Sequence, residues 1–536
     1  MKPHEGEPVD IGQLLDEIHE LERRVEALEH HTVQVPMAAV MPLQEAPFAG
    51  TGLALSNPVP VAGRAVLGLA GAYLLRALAE GGSVPRLLVV TAAILYAATW
   101  LLLGVRSRGK QGIAAATYGI TAALILAPLL WEATVSFQVL PPVATAAVLV
   151  AFAGLVCWRD HGIVAYVTTS AAVLTALALM IRTGSLLPFA AALLGIACVV
   201  EIRVVEIRVE ALRGPVAAAA DFAVWLVLFL TSRRGGVPEG YEGVGPMAAA
   251  GLFAMLAVIY AGSLVWRTVT LRKDAGVFGT LQCGVACFIA IAGILQTTQG
   301  GAAPLIGVVC ALAGAGAYFT AFLRFGVGSR NHQVFAGWGL ALGLTASFLI
   351  LPDALLSVVW SAAAVVAMLA GAARPTLRLH GALYLAAAAV ASGLPRAFAD
   401  AFTGARLIPA GPELWVFALA AVSAYALCGD ERAPLRAVPA ALAVVAVATL
   451  VILSGRPGAA ILASSRTLVT CMVALAAGFL HARTGRAELL WISYSAVALG
   501  ALKLALQDFR QSGPAALAVS LVCYGGLLIV LPRFRR

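Results

Sequence analysis

Arg466 has the greatest chemical reach of any residue in this 536-residue chain, set in Ser464-Ser465-Arg466-Thr467 near one end of a long apolar run. A guanidinium presents five N–H donors in a planar fork, and neighbouring hydroxyls add short-range donors and acceptors. Ser465, Arg466 and Thr467 together have the chemistry to hold a phosphate or carboxylate. An anchoring role accounts for the same arginine, because its apolar stem can carry the charge out to the nearer interface. Asp221 is the second candidate. It follows four alanines, Ala217 to Ala220, and precedes Phe222. A carboxylate inside such a run is costly, so it either pairs with an arginine at the membrane mouth or takes up a substrate, proton or cation.

Other ionisable residues in apolar runs read as anchors: Arg64 and Arg76 lie near opposite ends of one run, and Lys503 can reach outward to Asp508. The segment Glu201 to Arg213 alternates acid and base (Glu201, Arg203, Glu206, Arg208, Glu210, Arg213) and reads as a solvated helical extension with internal pairs, or as a docking surface. Cys283 and Cys287 share a helix face, but no second pair completes a tetrahedral metal site. His161, His332, His380 and His481 follow the basic loops and need no ligand to explain them. The chain has no phosphate-cradling glycine loop, no H-E-x-x-H and no G-x-S-x-G. No cofactor, metal or catalytic residue is therefore expected.

The elements that must position these residues are long and apolar. Hydrophobic residues make up 61% of the chain and charged residues 12%, and mean hydropathy is +0.92. About 20 apolar residues of helix cross a hydrocarbon layer of about 30 Å. Only helices and closed barrels satisfy their own backbone there, and the period-2 alternation of barrel strands is missing. The expected fold is an all-α integral membrane protein with about eighteen transmembrane helices. They fall near 61–79, 85–105, 112–131, 142–158, 163–181, 185–200, 215–230, 246–266, 276–295, 302–323, 333–351, 355–372, 380–394, 413–427, 434–453, 459–480, 489–506 and 515–532. Residues 61–536 form this domain, with residues 395–412 as an outward connection.

Connections alternate in charge. The N-terminus, the even-numbered connections and the C-terminus hold 24 Lys and Arg, the odd-numbered connections 8, and four more lie in spans. The positive-inside rule then places both termini in the cytoplasm. Trp131, Trp158, Trp266, Trp415 and Trp491 fall at span ends, where an interfacial belt belongs. Several outward connections share a Gly-then-Pro pattern, such as Gly81 to Pro85 and Gly513-Pro514, so short helical hairpins are the expected unit. The net +9 charge divides unevenly: residues 1–31 hold three basic and nine acidic residues, a net −6, which leaves +15 beside the spans. Those cations meet lipid head groups, so membrane lipids and not nucleic acid are the expected partners. The acidic start lacks a signal-peptide pattern, so the first span is expected to remain in place.

Residues 1–31 form a cytoplasmic amphipathic segment. Ile11, Ile18 and Val25 occupy heptad position a, with Leu14, Leu21 and Leu28 at d, a pattern that favours a parallel coiled-coil dimer through residues 11–28. Self-docking of a single amphipathic helix is the alternative. Residues 32–60, rich in proline, make an extended tether.

The heptad helix with Glu17 to Glu29, the proline-rich tether, the first hairpin from Gly63 to Arg76 and Gly81 to Pro85, and the run of short basic-ended hairpins together resemble a family of bacterial membrane proteins, the domain of unknown function 2339 family. The resemblance implies a many-span fold in the bacterial inner membrane and lends no catalytic residues. Three function classes fit: transport or flipping of a lipid or envelope precursor, a non-catalytic scaffold for envelope assembly, and an enzyme acting on lipid-linked sugars. The last would need Arg396, Arg406 or Arg466 to meet an outward acid. The cation asymmetry makes a direct prediction. A reporter enzyme active only outside the cytoplasm, fused after Arg536, should be silent; strong activity would reverse the orientation.

Overall fold

The computed structural model describes residue 23 and residues 58–81, 84–106, 112–159, 162–203, 210–404, 407–429, 433–455, 457–458, 461–509 and 513–535. The heptad arm at 11–28, Arg23 apart, and most of the tether lie outside the described residues. Everything described is helix and connecting turn, without a strand.

In chain order the helices are α1 Pro58–Gly81, α2 Arg86–Arg106, α3 Gly112–Trp131, α4 Pro142–Arg159, α5 Ile163–Thr183, α6 Leu186–Arg203, α7 Arg213–Thr231, α8 Pro246–Val265, α9 Val277–Thr297, α10 Ala303–Arg324, α11 Arg330–Ile350, α12 Asp353–Ala370, α13 Thr376–Ala391, α14 Leu394–Thr403, α15 Pro412–Leu427, α16 Ala433–Gly455, α17 Leu462–Thr484, α18 Ala487–Lys503 and α19 Pro514–Val530. Residues 1–141 with 151–172 form one compact unit, and 142–150 with 173–536 form a second.

Fourteen helices are long and apolar enough to cross a membrane, or fifteen if α13 and α14 count as one bent span. Those fourteen coincide with fourteen of the eighteen expected segments. The others differ for visible reasons. Pro142–Trp158 and Pro412–Leu427 are apolar but short, and α1 carries Arg64, Arg76 and Glu80 along its length. The thirteenth expected span breaks at Ser392-Gly393, where Gly393 adopts the left-handed conformation (φ +71°) and Pro395 starts a new helix. The two halves meet at 58°. The expected outward connection at 395–412 thus begins with a helix.

Arg64 and Arg76 do not simply reach for water. In the first unit, Arg64 donates to the Tyr118 hydroxyl at 2.9 Å, and Arg76 pairs with Glu80 at 3.0 Å and Glu132 at 2.8 Å. Of the five tryptophans expected at the interface, Trp158, Trp266, Trp415 and Trp491 are exposed, while Trp131 is half-buried.

Hairpins form, but in the opposite register to the Gly–Pro turns. Between helices consecutive in the chain, the most extensive packing joins α2 with α3, α6 with α7, α8 with α9, α10 with α11, α12 with α13, α15 with α16 and α17 with α18. All seven pairs close through basic connections. The Gly–Pro turns instead pass the chain from one hairpin to the next. At Gly184, a positive φ (+67°) coincides with the Gly240 carbonyl lying where a Cβ would sit.

Small residues set a close approach between α10 and α11. A Cβ on Gly314 would lie 3.2 Å from the Gly339 carbonyl oxygen and 3.3 Å from the Gly343 nitrogen. One on Gly339 would lie 2.6 Å from the Tyr318 ring. Backbone-to-backbone contact is how membrane helices gain dispersion energy without a hydrophobic driving force. Gly314→Leu should therefore destabilise the detergent-solubilised protein by about 1–3 kcal/mol. Gly316→Leu, with nothing near its Cβ position, should melt like the parent in the same thermal unfolding assay.

Candidate functional site

Arg466 sits on the first turns of α17, buried to 3% exposure. Its Nε donates to the Ala401 carbonyl at 2.6 Å. Its Nη2 donates to the carbonyls of Gly404 and, at 3.4 Å, Asp400. The Gln507 side-chain amide, oriented by its own bonds, accepts from Nη1 at 3.1 Å and donates to the Phe402 carbonyl at 3.3 Å. These carbonyls belong to the end of α14, the second half of the bent span. A helix end leaves its last carbonyls without intrahelical donors and carries a partial negative charge. Arg466 answers both needs from a neighbouring helix. Its fork faces backbone and is directed neither to the surface nor to an open anion cradle.

The hydroxyls expected beside it divide. Ser464 and Ser465 turn back to their own helix, donating to the carbonyls of Ile461 at 3.0 Å and Leu462 at 2.8 Å. The single cradle of Ser465, Arg466 and Thr467 is therefore not formed, because an i−3 carbonyl lies within easier reach of a helical serine. Thr467 turns the other way and donates to Asp508 Oδ2 at 2.8 Å. Lys503 Nζ donates to Asp508 Oδ1 at 2.6 Å, Thr467 Oγ1 at 2.7 Å and the Ala463 carbonyl at 2.9 Å. All three ammonium hydrogens are used, and Asp508 is fully buried. The expected Lys503–Asp508 pair forms, but as a buried link between α17 and the end of α18 and not as an anchor in water. A π turn at Leu504–Asp508 makes this possible by re-aiming Gln507 and Asp508 at the end of α18.

This polar group closes one end of a groove of about 660 Å³ between α14, α16, α17 and α18. α18 supplies a helical stripe of Glu488, Trp491, Ile492, Ser495, Leu499, Leu502 and Lys503, facing Val444, Val445 and Ala448 of α16 and Phe398 and Phe402 of α14. From Glu488 to Lys503 the stripe rises about 22 Å. Its walls are almost wholly apolar. At the Glu488 end lies a second charged group. Arg436 Nε stands 3.0 Å from Glu488 Oε1, in ion-pair range though out of line for a hydrogen bond. Tyr425 donates to the same oxygen at 3.3 Å, and the Arg486 guanidinium lies 5.2 Å from the Tyr425 ring centroid. Glu488 Oε2 is buried and accepts no hydrogen bond among the described residues. In the sequence the one signal for this group is Glu488, an acid opening an apolar run directly after Arg483 and Arg486.

Asp221 lies outside this constellation, on α7 against Gln282 of α9. The segment expected to be solvated instead buries its two ends. Glu201 on α6 and Arg213 on α7 form a two-pronged pair, Nε and Nη2 each 2.8 Å from a carboxylate oxygen, with Ser263 donating to the same carboxylate. Packing of α6 on α7 creates that pair, which neighbour rules along one helix cannot foresee. The intervening residues 204–209 lie outside the described set.

His332 bonds the Ala321 carbonyl and Thr376, His380 bonds Tyr318, and His481 bonds the Arg486 carbonyl; His161 lies outside the described residues. Among the described residues no three His, Cys, Asp or Glu are grouped to hold a metal. A second cavity of about 630 Å³, between α8, α9, α10 and α11, is almost wholly apolar, with Thr320, Cys283, Cys287 and Cys310 in its lining. It has no charged residue in its lining.

If Arg466 is a cap, Arg466→Lys should lower thermal stability, since an ammonium cannot reproduce a planar fork over three carbonyls and an amide. Arg466→Ala should cost more, about 2–4 kcal/mol, by leaving buried acceptors unanswered. Unchanged melting in both variants would remove the capping role. Compared with known proteins, the chain matches no family model, no curated protein and no solved structure, so the resemblance to the domain of unknown function 2339 family gains no support from them.

Proposed function

We propose that this chain binds a lipid or lipid-linked envelope precursor and moves it between leaflets of a bacterial inner membrane, with both termini in the cytoplasm. One observation carries the reading. The groove along α18 is apolar for about 22 Å, faces helices that meet the requirements for membrane spans, and ends in charged groups at Lys503–Asp508 and at Glu488–Arg436. An amphiphile has the same layout, with an apolar chain and a polar end. A volume of about 660 Å³ lies within the range of small-molecule sites. The bent span α13–α14 supports a transport reading, because substrate sites in transport folds are typically built from broken helices. Arg466 and Thr467 then serve this site by holding α14 and Lys503 in place, with Ser465 as part of the same helical turn. The 11–28 heptads, by this reading, bring two copies together at the cytoplasmic face.

The enzyme alternative is weaker on geometry, since four of the five N–H groups of Arg466 face carbonyls and an amide of the protein itself.

Transbilayer movement of a fluorescent phospholipid in liposomes containing the full chain tests the proposal. The protein should accelerate movement. Leu499→Trp, which fills the groove from an exposed position (57%), should slow it about tenfold, the size expected for losing roughly 1.4 kcal/mol of binding. Folded parent protein that moves no lipid, or a Trp variant as fast as the parent, would overturn it.

A further inference from the structure

α7 passes every requirement for a membrane span, and Asp221 stands near its middle, eight residues after Arg213 and ten before Thr231. At 1.5 Å per residue that is about 12 Å from one end and about 15 Å from the other. The outward side of the helix is marked by Phe222, Trp225 and Phe229, all exposed. Asp221 instead turns toward α9, where Oδ2 accepts from Gln282 Nε2 at 2.7 Å. Its other oxygen, Oδ1, is buried and has no hydrogen-bond partner among the described residues.

The neighbouring charges are already spoken for. On α6, Glu201 takes both prongs of Arg213, and Arg213 has no further N–H turned to Asp221 among its bonds. On α8, buried Tyr260 lies within electrostatic range of Asp221, Glu201 and Arg213. α9 presents a neutral amide. An ionised carboxylate at mid-span, with one amide as its partner, bears the full cost of desolvating a charge. Uptake of one proton on Oδ1 cancels that charge and needs no new counter-ion. A metal cation would need several oxygen ligands, whereas Gln282 turns its nitrogen, not its oxygen, toward this site.

We propose that Asp221 is a proton-binding site inside the membrane. The exchange is balanced: hydronium gives up a proton, an O–H bond forms on Asp221 Oδ1, neutral water remains, and release runs the same steps in reverse. The proposal is independent of the lipid groove. It adds an exchangeable charge at a fixed depth, the requirement for coupling any movement in this fold to a proton gradient.

A hydrophobic carbodiimide reports the protonated acid, because it adds only to a neutral carboxyl group and leaves a stable acylurea readable by peptide mass. Applied to the full chain in membranes, it should label Asp221 at acid pH. The label should fall about tenfold per pH unit once the proton is lost, while the ion-paired Glu201 stays unlabelled throughout. The near-isosteric Asp221→Asn should abolish label on that peptide while melting like the parent. Folded protein with no label on Asp221 at any pH, or with Glu201 labelled equally, would overturn the assignment.

Discussion

A helix that stops among other helices leaves carbonyls that must find donors, and in this protein the answer to that constraint organises the second half of the chain. α14 ends with the carbonyls of Asp400, Ala401 and Gly404 turned toward α17, and Arg466 supplies the N–H groups. The bend at Gly393 is tenable because the far end of the short helix is held. With α14 held, Phe398 and Phe402 form one wall of the groove, and Gln507 is drawn from the end of α18 to complete the cap. Lys503 and Asp508 follow from the same geometry, since the π turn that delivers Gln507 also delivers Asp508 to Thr467.

Charge inside the apolar body is managed by pairing between helices. Glu201 with Arg213, Lys503 with Asp508 and Glu488 with Arg436 each join residues that packing brings together. Buried pairs of this kind contribute little net stability over an apolar replacement but make the loss of either partner costly, so they specify one arrangement of helices. Two of the pairs are nearly saturated by further donors. Glu488 is not, with one oxygen lacking a hydrogen bond, and it stands where the groove ends. Asp221 is the exception in kind, with a neutral partner alone.

Elsewhere the helices rely on small residues. Gly314, Gly339 and Gly343 bring α10 and α11 to backbone contact, and Tyr318 crosses the contact to meet His380 at 2.9 Å. Among the described residues, His332, His380 and His481 are structural fasteners near helix ends, each with a hydrogen-bond partner.

The sequence alone determined the class of protein, most of its spans and the alternation of charge, because apolar length and loop cations act locally and leave a direct imprint on composition. It also marked Arg466 and Asp221 as charges set in apolar runs, which is visible without coordinates, while it read Lys503 only as an anchor reaching Asp508. What each charge does was decided by tertiary structure. Ser465 and Thr467 are two residues apart in the chain, yet one bonds its own helix and the other crosses to Asp508. Arg466 meets carbonyls more than sixty residues away, and Glu201 meets Arg213 only when α6 packs on α7. The hairpin register likewise fell on the basic connections, although the turn signals lay on the other side. Backbone carbonyls carry no sequence signature and side-chain direction depends on the neighbouring helix, so the partner of a buried charge is a property of packing and not of the run of residues that contains it.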